Sequence, residues 1–222
     1  MTNYLAVLGA MLLLSATACH ASQDAAKPLP VKPAAAAPTT VAPPAAAATA
    51  AASAGLPRYT QNPAKSSLRF TFEQAGAAAS GNFKKFTTVL VYDEKNLAAS
   101  SLNVRVDMAS VDTQEPERDG MLKDADLFNA TKYPAATFTA SSLAKRADGG
   151  LEAVGKLTIR DVSRDVRLPL TLKATPEGFE LSGKTTLKRL DYGVGQGEMK
   201  ATDSVGNDVK IEYAVSLVRS RG

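Results

Sequence analysis

The chain reads as an all-β protein: one antiparallel barrel of about eight strands with a single short helix, carried behind an export segment and a tether. Three observations point there. Apolar and polar residues alternate with a period of two through most of the chain after Pro57, the mark of strands with one wet face. Turn-forming clusters separate these runs at hairpin spacing. The same stretch has no cysteine, so the fold must rest on packing and hydrogen bonds alone.

Residues 1–18, MTNYLAVLGAMLLLSATA, contain no Lys, Arg, Asp or Glu, and their apolar centre runs from Leu5 to Leu14. That run is too short to span a bilayer as a helix but fits the apolar region of a secretory signal peptide, and Ala16 and Ala18 suit a cleavage site. The only positive charge ahead of the apolar run is the terminal amine. Cys19, the sole cysteine, follows directly, beside the sole histidine, His20. The stretch Leu14-Ser15-Ala16-Thr17-Ala18-Cys19 resembles the lipobox of bacterial lipoproteins, with Ala16 where Leu is usual. The resemblance implies that Cys19 is diacylated and becomes the mature N-terminus. A lone cysteine in an exported chain is free, paired with another chain, or modified. The alternative is an ordinary signal peptide cut near Ala18 or Ala21, with Cys19 idle or removed. A metal site is disfavoured, since one thiol and one imidazole leave a tetrahedral centre two ligands short.

Residues 19–56 are expected to be a disordered tether, and from Ala21 to about Leu56 the chain is mostly Ala, Pro, Thr and Val. Six prolines, Pro28, Pro30, Pro33, Pro38, Pro43 and Pro44, remove backbone donors and block helix propagation, and the small side chains cannot build a core. This is a semi-rigid tether, with a reach on the order of 100 Å if it holds polyproline-like geometry. The Ala45–Ala54 run is short for an isolated helix. The expected location is the periplasm, with the chain lipid-anchored to the outer membrane.

Residues 57–222 form the barrel domain. Leu68, Phe70 and Phe72 share one face of SLRFTF. In SLNVRVDMASV, Leu102, Val104, Val106 and Met108 oppose Asn103, Arg105 and Asp107. Val166, Leu168, Leu170 and Leu172 alternate in VRLPLTLK, where Pro169 on the outward face argues for an edge or a bulge. Near the end, Val209, Ile211, Tyr213, Val215 and Leu217 alternate with polar neighbours. Turns fall at Asp148-Gly149-Gly150, Thr175-Pro176-Glu177-Gly178 and Gly206-Asn207-Asp208. About eight strands is the number that closes a small barrel able to hold one ligand. The charged segment PERDGMLKDADLF breaks the alternation. Glu117 to about Asp126 is expected to be a helix on the barrel, with Met121, Leu122, Ala125 and Leu127 able to cover one side.

Several motifs, in order, resemble the YceI family of bacterial periplasmic proteins. They are Ser67 to Phe72; Gly81-Asn82-Phe83 with Phe86; Ala109-Ser110-Val111-Asp112-Thr113; Arg118-Asp119 with Leu122; Ala125-Asp126-Leu127-Phe128; Lys132-Tyr133-Pro134 with Phe138; Gly155-Lys156-Leu157-Thr158-Ile159-Arg160; and Arg189-Leu190-Asp191-Tyr192-Gly193. The likeness runs from about residue 58 to 219. It implies a lipocalin-like barrel that binds a long-chain isoprenoid or another amphiphilic lipid. Many members carry a histidine near the position of Gln74, and this chain does not, so a family role needing that imidazole is not carried over to it, while a purely apolar grip on a ligand is.

The chemistry left to the barrel is narrow. Without His, Cys or Trp it lacks the usual neutral-pH base, thiol nucleophile and imidazole or thiolate ligands, and no cofactor or metal is expected. Asp119, Asp124 and Asp126 cluster, but beside Arg118 and Lys123 they read as a solvated face with caps. An enzyme is disfavoured. GVGQG, Gly193 to Gly197, mimics a dinucleotide fingerprint with no crossover helix after it, and reads as a mobile hairpin loop. The formal charge of +4 comes from dispersed residues, which argues against nucleic acid.

The apolar faces remain. Phe70, Phe72, Phe83, Phe86, Val104, Val106, Phe128, Phe138, Leu157, Ile159, Leu168, Leu170 and Tyr192 are the candidates for lining a ligand cavity. Inward apolar residues occur in every barrel, filled or hollow, so alternation alone leaves both readings open. A filled barrel would act through its surface, as a stress-related scaffold or as partner of a membrane redox protein.

Overall fold

A computed structural model describes residues 55–220. The signal-peptide expectation for residues 1–18, Cys19 with its lipidation, and the tether up to residue 54 lie outside the described residues. Eleven strands are seen: β1 (Arg58–Gln61), β2 (Ser67–Gln74), β3 (Ala77–Phe83), β4 (Phe86–Val91), β5 (Ser101–Asp107), β6 (Val111–Asp112), β7 (Ala135–Lys145), β8 (Leu151–Ile159), β9 (Val162–Thr175), β10 (Gly178–Lys188) and β11 (Asp208–Arg219). Among the described residues one α-helix, α1 (Pro116–Lys123), follows β6.

Eight of these strands close an antiparallel barrel in the order β1, β4, β5, β7, β8, β9, β10, β11. The short β1 shuts it, pairing Tyr59 with Leu90 of β4 on one side and with Arg219 of β11 on the other. β2 takes over the same edge of β11 from Ala214 to Lys210, and β3 and β6 extend it as a flap. Pro63–Lys65 forms a 3-10 turn between β1 and β2, capped by the Asn62 side chain. Period-two alternation survives into burial: in β5 and just beyond it, Leu102 and Met108 are buried, while Asn103 and Arg105 are exposed.

The turns form where the residues allow them. Pro176 and Glu177 join β9 to β10, and Gly149 takes the positive φ its hairpin needs, 83°. Pro169 marks an edge. The β9–β10 ladder runs only from Thr175/Gly178 to Thr171/Ser182, and the rest of β9 back to Val162 has no pairing with β10. A residue without an N–H cannot continue a ladder.

The lower half of the barrel is filled. Leu90, Leu143, Ala153, Leu181 and Leu217 are buried together, and Tyr59 and Tyr92 pack edge-on against Phe179 at 4.9 and 5.2 Å between ring centroids. The upper half is covered by α1 and the segment joining β10 to β11.

The helix is shorter than expected. It stops at Lys123 because Asp124 leaves helical geometry, with ψ 167°, and its carbonyl accepts from Leu127 and Asn129 N–H groups in a run of turns. Of the four expected apolar residues Leu122 and Leu127 are buried; Met121 reaches the cavity while staying 43% exposed, and Ala125 is exposed.

Candidate functional site

Above the packed floor the barrel encloses a cavity of about 570 Å³, within the roughly 300–1,000 Å³ of small-molecule sites. Its wall is overwhelmingly apolar. All thirteen sequence candidates stand on it: Phe138 and Leu170 pack with the core residues of the floor, Phe70, Phe72, Phe83, Phe128, Ile159 and Tyr192 belong to the cluster that includes Leu122 of α1, and Phe86, Val104, Val106, Leu157 and Leu168 complete the wall. Phe70, Phe138, Leu170 and Tyr192 are almost wholly buried. Phe70 anchors an aromatic run: its ring lies 6.0 Å from that of Phe72 and 5.3 Å from that of Phe83, which reaches Phe128 at 5.9 Å. Phe70 also lies against Gly81, where a Cβ would stand 2.5 Å from its ring tip.

Sequence reasoning omitted other parts of the wall. Val209, Ile211 and Val215 belonged to a recognised alternation but were not carried forward as candidates; Leu181 and Leu187 sit in GFELSGKTTLK, where apolar residues are too sparse to show a face. Two polar residues were invisible as such. Thr88 faces inward from β4, and its hydroxyl is buried with no hydrogen-bond partner.

Arg189 is the other. It is 5% exposed and has no ion-pair partner among the described residues. Instead its guanidinium donates to the carbonyls of Val194 (3.0 Å), Val205 (2.7 Å), Ala201 (3.3 Å) and Gly206 (3.0 Å). Burial pushes its pKa down. One side chain thus gathers the whole segment between β10 and β11 over the cavity. The glycine loop lies in that segment and is held rather than loose: Gly195 and Gln196 N–H groups both donate to the Asp126 carbonyl, at 2.9 and 2.8 Å. Arg160 adds a second clamp, donating to the carbonyls of Leu127 and Gly193 at 2.7 Å each.

The acidic cluster divides. Asp119 accepts from the Thr113 N–H and hydroxyl at 2.7 and 2.6 Å, fastening α1 to the end of β6. Asp124 caps the helix end, and Asp126 serves through its backbone carbonyl. Among the described residues no group of His, Cys, Asp or Glu is placed to hold a metal ion. No described helix is long and apolar enough to cross a membrane. The arrangement can shelter an apolar chain.

A family model described as the YceI-like domain matches residues 59–217. Protein YceI of Shigella flexneri is 39% identical over 137 residues, covering 56% of this chain and 71% of that protein, as is Protein YceI of Escherichia coli O157:H7. Among solved structures, BcnA of Burkholderia cenocepacia superposes with a TM-score of 0.67 at 30% identity, covering 70% of this chain and 98% of that one. A polyisoprenoid-binding domain from Saccharophagus degradans implicated in plant cell wall breakdown shares the fold, with a TM-score of 0.59 at 16% identity, covering 74% and 99%.

Proposed function

The chain belongs to the YceI-like domain family, and from that premise we propose that it binds a long-chain isoprenoid or similar amphiphilic lipid without transforming it. The observation that carries this reading is the hollow upper half of an otherwise packed barrel, walled by Phe, Leu, Val and Ile and closed over by α1 and the Arg189-gathered segment. A filled interior would have left no such space.

Binding is then removal of an apolar tail from water. Burial of a methylene is worth about 0.8 kcal/mol, so ten such groups supply roughly 8 kcal/mol, comparable to the 4–15 kcal/mol that association costs by rough estimates. In this reading the chain works in the periplasm, exported by residues 1–18 and held to the outer membrane through acylated Cys19. The lipid is its partner there.

Native mass spectrometry of the full chain purified from bacterial envelopes, followed by organic extraction, tests the ligand. A stoichiometric apolar adduct is the expected result. A clean unloaded mass that persists after incubation with isoprenoid quinones and polyprenyl phosphates would overturn the reading. Intact mass of the same preparation tests the anchor, since a mature chain beginning at Ser22 without acyl mass would remove it.

A further inference from the structure

The barrel wall has a gap on the flap side. β4 pairs with β1 only at Val89, Leu90 and Val91, so Phe86, Thr87 and Thr88 have no strand partner on that side. β3 is paired on its outer edge only at Asn82 and Phe83. The two edges diverge from the Lys84-Lys85 link and leave a window above β1. Outside this window lies a polar cleft of about 880 Å³, and Leu68, Phe70, Phe83 and Phe86 line both the cleft and the apolar cavity behind it.

Two features make the window a site and not a flaw. Continuing the β1–β4 register one step past Thr60 and Val89 sets Gln61 opposite Thr88. Gln61 Oε1 and Thr88 Oγ1 are both buried without a hydrogen-bond partner, and Thr88 is only 2% exposed. Buried polar atoms left unpaired burden a fold, so a native pair of them, Thr88 on the cavity side and Gln61 on the cleft side, marks the passage between the two as a place for a polar group. The cleft also holds spare positive charge. Two of its three acids are ion-paired, Asp112 with Lys84 at 3.0 Å and Glu212 with Lys184 at 2.6 Å, Glu212 also feeling Arg69 across the strands, while Asp107 accepts from the Ala109 N–H at 3.0 Å and keeps its charge, so the basic residues stay in excess. Arg69, Lys85 and Arg105 line the same cleft and have no ion-pair partner among the described residues. Arginines at the cavity's upper end are not free in this way, because Arg118 pairs with Glu115 at 2.9 Å and Arg189 is taken up by carbonyls.

We propose that the cleft binds a phosphate-bearing head of the lipid whose tail fills the cavity, the head leaving sideways through the window between β3 and β4. The Thr88 hydroxyl donates a hydrogen bond to the oxygen joining tail to head, and Arg69, Lys85 and Arg105 face the phosphate. This rests on the lipid-binding reading and adds to it the charge and exit route of the ligand.

The test compares a polyprenol and the polyprenyl phosphate of equal length, with inorganic phosphate as the headgroup alone, on the full chain at low and high salt. The expected result is tighter binding of the phosphate form by about tenfold, a difference that shrinks with salt. In R69S/R105S that preference disappears while the polyprenol keeps its affinity within about twofold. Thr88→Val provides a second reading with opposite signs. It weakens the phosphate lipid about fivefold, yet leaves the melting temperature of the unloaded protein level or higher, because an unpaired hydroxyl has gone. Equal affinity for both lipids, unmoved by R69S/R105S, would overturn the cleft and leave the cavity reading standing. Inorganic phosphate bound as tightly as its lipid would also overturn it, assigning the cleft to the free ion. Failure of both lipids to bind would instead remove the lipid-binding reading beneath it.

Discussion

The phenol of Tyr213 on β11 donates a hydrogen bond to the main-chain carbonyl of Pro169 on β9, passing over the intervening strand at Gly183. The carbonyl is available because the β9–β10 ladder has already ended, and the passage is open because a Cβ on Gly183 would collide with both the carbonyl and the phenol. A residue that breaks pairing, one with no side chain and one with a long polar reach together tie three strands where the barrel starts to part.

Tyr213→Phe strands that carbonyl and should cost about 1–3 kcal/mol in denaturant unfolding. Burial pushes the Tyr213 pKa up to about 12 from 10.0, so the unfolded chain ionises first as pH rises. The contribution is intact below pH 10 and is lost between about 10 and 12. Stability of the wild type should therefore fall more steeply than that of Tyr213→Phe across this window; parallel curves would show that the phenol is not sequestered.

Arg189→Met should leave the strands protected and loosen what the guanidinium gathers. Amide hydrogen exchange is the measurement, with faster exchange expected in residues 194–206 and a quicker release of any bound lipid. Arg189→Lys is expected to resemble the Met variant, since one ammonium cannot reach the four carbonyls that the planar fork does. Unchanged exchange would mean that the segment holds itself.

Asp119 concerns the acid side. Burial, the largest single influence, pushes its carboxyl up, but the Thr113 hydroxyl and N–H, with Lys123 and Lys84 nearby, together outweigh it and hold the pKa below the usual 3.8. A depressed carboxyl stabilises above its unfolded pKa and loses that contribution as pH falls through the folded value. Asp119→Asn should be less stable than wild type at neutral pH, and the gap should close below about pH 4. A gap of constant size would indicate a packing defect instead.

Position on the cavity wall should separate loading from folding. Phe72→Arg, half-buried near the top, can send its charge outward and is expected to fold while losing lipid. Phe138→Ala, at 3% exposure on the floor, should cost about 3–5 kcal/mol of stability. Lipid carried unchanged by a folded Phe72→Arg would move the tail elsewhere.

Much of this was legible along the chain because a strand announces its faces two residues at a time. Leu102, Val104 and Val106 could be assigned inward, and Pro169 to an edge, from local pattern alone. Whether the inward residues meet in the middle is another matter. Leu170 borders the cavity and Leu143 packs within the floor, yet an apolar side chain has the same sequence signature beside a void as beside a neighbour. The Thr88–Gln61 rim and the Tyr213–Pro169 tie depend on register between distant strands, which alternation does not specify. The glycine loop misled because its order comes from Asp126 and Arg189, outside the motif.

The packed floor makes the hollow blind. Leu90 and Leu217 sit beneath it at almost no exposure, with Tyr59, Tyr92 and Phe179 below. For the lipid proposed above, a tube stopped at one end would be a ruler: it would accept tails up to its depth and oblige longer ones to double back or stand out, so chain length itself would become a property that the barrel measures.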